Sequence, residues 1–385
     1  MSIGTDTTSD ATPFDAAAGF DRAIDGHIIA GQFAAIERVR WRTEAHVATI
    51  GDVAKAAGVS RSTVSYALSG KRTISEETRE RIERAVRELD FTPNAGARAL
   101  ATSQTMVIGL LVRFFRDEFS PAMLQYVLPI TEAAREAGYD VLMMTEDDGP
   151  RALRRVTDSE MVDGVVLLNV AHDDPRIAPL RAARQPGALV GLPKDTHGLD
   201  VFDLDFGESA RMLVDHLHER GHREIVLISP HEHVVERGGA YAWRFRDAAL
   251  ERAARYGLRI HPYWGQTEQP AINDALHTIL DEHRDATAII VHNDAMIAAL
   301  PWVLNARGVR VPDDLSVVGI YTEDFGRLFS LPYTAIETSP DKLGRAAVQA
   351  LVRRMQDADG AGSPIVRFIS PELTDRGSTA DRLTS

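Results

Sequence analysis

The chain has 385 residues, no cysteine and a net charge of −13. That length allows two or three domains with real cores. The absence of cysteine excludes disulfides, thiolate zinc sites and cysteine nucleophiles, and it suits a reducing cytoplasm. No apolar run approaches the ~18 residues of a membrane span, and the N-terminus lacks the basic start and apolar stretch of a secretory signal.

The acidic balance is unevenly spread. Residues 47–103 carry nine Lys/Arg against seven Asp/Glu, whereas residues 1–46 carry four against seven. A weakly basic module on an acidic body points to nucleic acid. Residues 1–46 are rich in Ser, Thr, Asp, Ala and Gly, and read as a disordered tail or as an extension outside the translated protein. After Met1 the next methionine is Met106, so a later start needs a valine or leucine codon, such as that of Val47.

From Thr49 the pattern sharpens. Ile50, Val53, Ala54 and Ala57 fall on one helical face. Thr49 and Asp52 form a T-x-x-D capping box, and Gly58 ends the helix because a left-handed residue costs little only for glycine. Ser60 caps a second helix with Val64 and Leu68 on one face, and Ser75 a third with Ile82, Val86 and Leu89 as its apolar stripe. Helix, three-residue glycine turn, helix is a helix-turn-helix. Pro93 opens a short segment, residues 94–100, in which Gly96 costs about 1 kcal/mol of helix stability; such a segment orders on binding and serves as a linker.

Beyond Met106 the period changes to alternating strand and helix. Strands are expected at Val107–Val112, Tyr139–Thr145, Val162–Val170, Gly187–Leu192, Val201–Leu204, Glu224–Ser229, Ala286–His292 and Leu315–Tyr321. Helices are expected at 130–137, 209–220, 240–256, 271–283, 294–307 and 340–356. This is a parallel α/β body too large for one compact core, so two lobes are expected.

The segments TIGDVAKAAGVSRSTVSYALSGKRTISEETRERI, FTPNAGARALATSQT, EAAREAGYDVLM, HLHERGHREIVLIS, RGVRVPDDLSVVGI and PELTDRGSTA together closely resemble the lactose-repressor (LacI/GalR) family of bacterial transcription regulators, over about residues 49–380. The resemblance implies an all-α helix-turn-helix headpiece at 47–91 and a hinge helix at 92–104. These join a two-lobed α/β core at 105–385, similar to the periplasmic sugar-binding proteins, with three chain crossings. The N-lobe is expected at 105–204 and 336–366, the C-lobe at 205–335 and 367–380.

The second helix is expected in the major groove with Arg61, Ser62, Ser65 and Tyr66 facing bases. Arg61 suits guanine O6 and N7 with two donors, the alternative being a phosphate contact alone. Tyr66 departs from the arginine frequent there in the family. Thr49, Thr63, Lys71 and Arg72 read as phosphate clamps. The resemblance places Asn94, Ala97, Arg98 and Leu100 in the minor groove, with Leu100 as an apolar wedge that kinks the duplex; interlobe or helix packing is the plain alternative. A two-fold operator requires a homodimer, and no C-terminal leucine heptad supports a tetramer.

By the same resemblance a small-molecule effector, expected to be a sugar, binds between the lobes. Its candidate contacts are Phe115, Asp117, Phe119, Tyr241, Asn293, Asp294 and Tyr321. Tyr241 stands where the family often has a gripping arginine, Tyr321 where it often has an aspartate, and Arg113 replaces a common proline. A more aromatic pocket suits a β-linked oligosaccharide or a glycoside. Asp294 also reads as a helix cap. The effector is expected to release DNA, with ligand-promoted binding and a non-sugar effector as alternatives.

An enzyme is disfavoured, for the sequence has neither a G-x-x-x-x-G-K-[ST] loop nor G-x-G-x-x-G. A DNA-independent sugar-binding protein has no use for the headpiece. His231-Glu232-His233 lacks H-E-x-x-H spacing, and His216, His218 and His222 read as solvated; no metal or cofactor is expected. Glu146-Asp147-Asp148 reads as a solvated loop.

Overall fold

The computed structural model describes residues 48–69, 72–92, 104–115, 120–356 and 362–382, with 96, 99, 102 and 118 between them. Residues 1–47 lie outside it, as do Lys71, Asn94, Ala97, Arg98, Leu100, Asp117 and Phe119. The chain divides into two units, Met1–Pro93 and Asn94–Ser385.

The first unit holds α1 (Ile50–Ala57), α2 (Arg61–Ser69) and α3 (Glu76–Glu88). Thr49 and Asp52 close the capping box, and Gly58 takes φ +65°, so α1 stops there. The Ser60 hydroxyl accepts from the Thr63 N–H at 3.0 Å and fixes the start of α2. Ser75 does the same for α3 through the Thr78 N–H. The core is Val53, Ala54, Ala57, Val64, Ile82, Ala85 and Phe91. Two expected core residues are exposed: Leu68 and Leu89 lie on the surface. Phe91, beyond the end of α3, fills the space that the stripe had assigned to Leu89, because its amide returns to the Val86 carbonyl and turns the chain inward.

The second unit carries two sheets. The first joins β1 (Val107–Val112), β2 (Asp140–Met144), β3 (Gly164–Leu168), β4 (Gly187–Val190), β5 (Asp200–Leu204) and β11 (Val366–Ile369), in the order β11-β5-β4-β3-β1-β2. All its pairs are parallel. The second joins β6 (Glu224–Ser229), β7 (Arg259–Trp264), β8 (Ala288–Val291), β9 (Ser316–Tyr321), β10 (Thr334–Glu337) and β12 (Glu372–Thr374), in the order β12-β10-β9-β8-β6-β7. Only β12 runs antiparallel, against β10.

Helices cover both faces of each sheet, as buried parallel strands require. α4 (Ser120–Glu136) and α13 (Pro340–Gln356) share one core with the first sheet. α5 (Gly149–Asp158) and α6 (Ile177–Ala182) cover the other face. α7 (Phe206–Glu219) and α9 (Ala240–Tyr256) pack on one face of the second sheet. α10 (Ala271–Glu282), α11 (Asp294–Ala306) and α12 (Glu323–Leu328) pack on its other face, while α8 (Glu232–Glu236) precedes α9.

The chain passes between the sheets after β5, after β10 and after β11. Two expected boundaries shift. β10 runs to Glu337, so the C-lobe segment does not end at 335; β11 runs to Ile369, so the N-lobe segment does not end at 366. In both cases ladder pairing to a neighbouring strand continues past the expected boundary. The helix expected at 130–137 begins ten residues earlier, at Ser120.

His216 and His222 are buried, against the expectation of solvated imidazoles. His216 Nε2 meets Thr379 Oγ1 at 2.9 Å; His222 meets Thr287 Oγ1 at 2.8 Å and the Ala380 carbonyl at 3.1 Å. They fasten the C-terminal segment to the second sheet, and burial pushes His222 down to about 4. Among the described residues no group of three or more His, Asp or Glu is placed to hold a metal ion, and no helix is long and apolar enough to cross a membrane.

Candidate functional site

In the first unit, α2 presents a short polar face. Arg61, Ser62 and Tyr66 are exposed, and Ser65 and Thr63 are half-buried. Val64 on the opposite face is fully buried and anchors the helix to α1 and α3. Ser60, Ser62 and Thr63 share hydroxyl hydrogen bonds at 2.7 and 2.8 Å, which hold the first turn in one register. Thr49 is committed to the cap of α1, its hydroxyl donating to Asp52 Oδ2 at 2.7 Å. Arg72 is exposed in the connection to α3. Exposed donors on a helix backed by a buried face are what groove entry requires.

In the second unit, a cavity of about 180 Å³ lies between the two sheets. It opens at the carboxyl ends of β3, β4, β5, β8 and β9, where open α/β sheets bind ligands. Tyr241, Asn293, Asp294 and Tyr321 all line it, but Phe115 does not. Phe115 instead lies beneath two guanidiniums, that of Arg237 at 4.0 Å and that of Arg113 at 4.6 Å from its ring centre. Cation–π attraction holds the aromatic ring there.

Asn293, not Asp294, caps α11: its Oδ1 accepts from the Met296 N–H at 3.0 Å. Gly265 makes this possible, since a Cβ there would stand 2.3 Å from Asn293 Nδ2. Asp294 is thereby released from capping, and burial pushes its carboxyl up to about 7. Tyr321 is nearly fully buried, and its hydroxyl donates to the Tyr333 carbonyl at 2.6 Å. Its ring is part of the wall, while its polar end is already used. Burial also raises the Tyr241 hydroxyl well above its ordinary value.

Several lining residues, Phe206, His292, Asp203 and Arg244 among them, carry no signal of their own in the sequence. Phe206, Tyr241 and His292 form an aromatic cluster with ring centres 5.4–5.8 Å apart. Burial holds His292 neutral, down to about 3. Asp203 on β5 pairs with Arg244 on α9, so a carboxylate of one lobe meets a guanidinium of the other inside the cavity wall. Burial lifts Asp203 to about 6 despite the opposing Arg244 charge. Arg244 sits one helical turn after Tyr241, a spacing that sequence reasoning could have followed. A second cross-lobe pair joins Glu118 to Arg237 at 3.1 Å, and Asn169 Nδ2 donates to the other Glu118 oxygen at 3.0 Å. The backbone crosses as well, from the His172 N–H to the Gly238 carbonyl at 2.7 Å.

Arg176 sets the N-lobe wall. It is fully buried, pairs with Asp174 through Nε and Nη2, and donates to the carbonyls of Leu111, Leu168 and Asn169. It thus ties the ends of β1 and β3, and holds Asn169 where φ is +55°. Gly149 leaves it room, for a Cβ there would lie 2.8 Å from Arg176 Cδ.

Comparison with known proteins agrees with this geometry. A model of bacterial regulatory proteins, lacI family, matches residues 49–94, and a periplasmic binding protein-like domain matches 214–379. The HTH-type transcriptional repressor PurR of Aliivibrio fischeri is 30% identical over 88% of this chain and 100% of its own. The HTH-type transcriptional regulator CelR of Thermobifida fusca is 30% identical over 80% of this chain and 92% of its own. Among solved structures, a CelR–cellobiose complex aligns with a TM-score of 0.60 at 26% identity, over 86% of this chain and 99% of its own. The lac repressor dimer bound to operator and the anti-inducer ONPF aligns with a TM-score of 0.73 at 24% identity, over the same shares, and supports the fold. The chain belongs to the LacI family, and is a DNA-binding transcription regulator with an effector-binding core rather than an enzyme.

Proposed function

We propose that the protein is a homodimeric repressor of an operator with two-fold related half-sites, and that a sugar bound in the interlobe cavity releases it. The observation that carries this reading is the cavity wall itself. Asp203–Arg244 and Glu118–Arg237 each join one lobe to the other, so any ligand seated among them changes what the lobes gain by closing. The Phe206, Tyr241 and His292 rings offer an aromatic face for the apolar side of a pyranose. Asp294 and Asn293 offer acceptors and donors to its hydroxyls. The relative solved as a CelR–cellobiose complex makes a β-linked disaccharide the first probe.

On the DNA side, Arg61, Ser62, Ser65 and Tyr66 are assigned to base edges, and Thr49, Thr63, Lys71 and Arg72 to phosphates. Asn94, Ala97, Arg98 and Leu100 are assigned to the minor groove. The expected site of action is the cytoplasm.

The test is a gel-shift of the full chain on duplex from upstream of its own gene, titrated with cellobiose, glucose, galactose and a purine base. A 5–150-fold loss of operator affinity with a sugar is expected, the range of ordinary allosteric coupling. A gain of affinity reverses the polarity. No change with any sugar overturns the sugar reading, and response to the purine alone replaces it.

A further inference from the structure

α1 has a glycine in its first turn, Gly51, although its backbone does not need one. Gly51 is helical and is absent from the glycines with positive φ, and glycine is the poorest ordinary helix former. The space beside it is occupied. A Cβ at Gly51 would lie 2.8 Å from Arg61 Nη2, 3.0 Å from Nε and 3.2 Å from Cζ. The guanidinium of the first residue of α2 therefore occupies the space that a Cβ at Gly51 would fill.

The surroundings keep this seat selective. Asp52, the acid next to Gly51, has its Oδ2 engaged with the Thr49 amide at 2.9 Å and hydroxyl at 2.7 Å. Ser60, Ser62 and Thr63 lock the turn from which Arg61 projects. Arg61 is exposed, so its donors can reach a base edge while its guanidinium occupies the space beside Gly51.

We infer that Gly51 is a specificity-determining positioning residue: by lacking a Cβ it seats the Arg61 guanidinium and fixes the base position that Arg61 reads. The inference rests on the base-reading role proposed for Arg61. Replacing Gly51 by alanine improves helix propensity while displacing the guanidinium, so stability and base discrimination move in opposite directions. A residue with a merely structural role moves them together.

The experiment is selection of the full-length protein, at fixed salt, against duplexes with a randomised half-site, followed by sequencing of bound DNA. It uses wild type, Gly51→Ala, Arg61→Met and the double variant, with a thermal melt of each. Wild type is expected to prefer guanine at one position per half-site, and Arg61→Met to flatten that preference. Gly51→Ala is expected to weaken it about tenfold or more at that position only, to melt no lower than wild type, and to add nothing in the double variant. An unchanged motif in Gly51→Ala overturns the inference, as does a loss spread over all positions or a lowered melt. An unchanged motif in Arg61→Met overturns the base-reading role of Arg61 itself, a separate failure. Gly51→Ser, also bearing a Cβ, must reproduce the alanine result.

Discussion

The recognition face of α2 and the cavity between the lobes are built in opposite ways. On α2 the candidate contacts fall within six consecutive residues, Arg61 to Tyr66, and are exposed or half-buried. In the cavity the polar groups come from residues as far apart as Glu118 and Thr322, and most already have partners inside the protein. The face presents exposed donors, Arg61 foremost, to a partner rich in acceptors, whereas the cavity must exchange buried internal bonds for ligand bonds. Loss of one residue on the face should therefore remove one contact, while loss of one in the cavity disturbs its neighbours.

The largest contrast comes from Arg176→Met. It leaves Asp174 as an uncompensated buried carboxylate and frees three carbonyls. About 3–5 kcal/mol of core stability should be lost, read as a lowered denaturant midpoint, with the headpiece transition unmoved. Equal shifts of both transitions would erase the separation of the two regions.

Arg61→Met should cost about 1–3 kcal/mol against the preferred base and relax selectivity at one position, measured by competition between single-base operator variants. Loss of affinity for every sequence alike would reassign Arg61 to phosphate.

Asp294→Asn sharpens the cavity side. The folded pKa of Asp294 stands above its ordinary value of 3.8, at about 7, so the folded state binds more protons than the unfolded one between about pH 4 and 7. Stability from this group is present below pH 4 and falls as pH rises to 7. The amide variant should then gain more at pH 8 than at pH 5, by about 2–4 °C for each 1 kcal/mol relieved. A larger gain at pH 5 has the wrong sign and would mean that the carboxylate is stabilised.

The smallest effect is Arg72→Ala, which should reduce the slope of log affinity against log salt by about 1 without altering the selected motif. A changed motif would move Arg72 from phosphate to bases.

Legibility in the sequence follows the same division. Capping residues, the Gly58 stop and the apolar stripes of α1 to α3 are local signals, and they locate the headpiece well; Leu68 and Leu89 mislead because helical period cannot tell which stripe edge a small domain leaves uncovered. The strongly apolar strands β1, β3, β6 and β9 are equally plain. β7 is not, since it is a half-exposed edge strand containing Pro262, where proline is tolerated only because no neighbour needs its amide. β10, β11 and β12 have three or four residues each, too few to carry a period. In the cavity, Tyr241, Asn293, Asp294 and Tyr321 were reached through the family resemblance. Phe206, His292, Asp203 and Arg244 were not: Asp203 and Arg244 take their meaning from each other across the lobes, and Phe206 and His292 from rings far apart in the sequence.

The three passages between sheets also impose an order in time. The headpiece is complete once Phe91 has been made, so it can fold while the rest of the chain is still being synthesised. The first sheet keeps an open edge along β5 until Val366–Ile369 arrives, and the second waits for Glu372–Thr374. An unpaired edge strand is a template for wrong partners, and nearly the whole core must wait in that condition. Truncation even twenty residues from the end would thus leave a DNA-binding module tethered to two unfinished sheets.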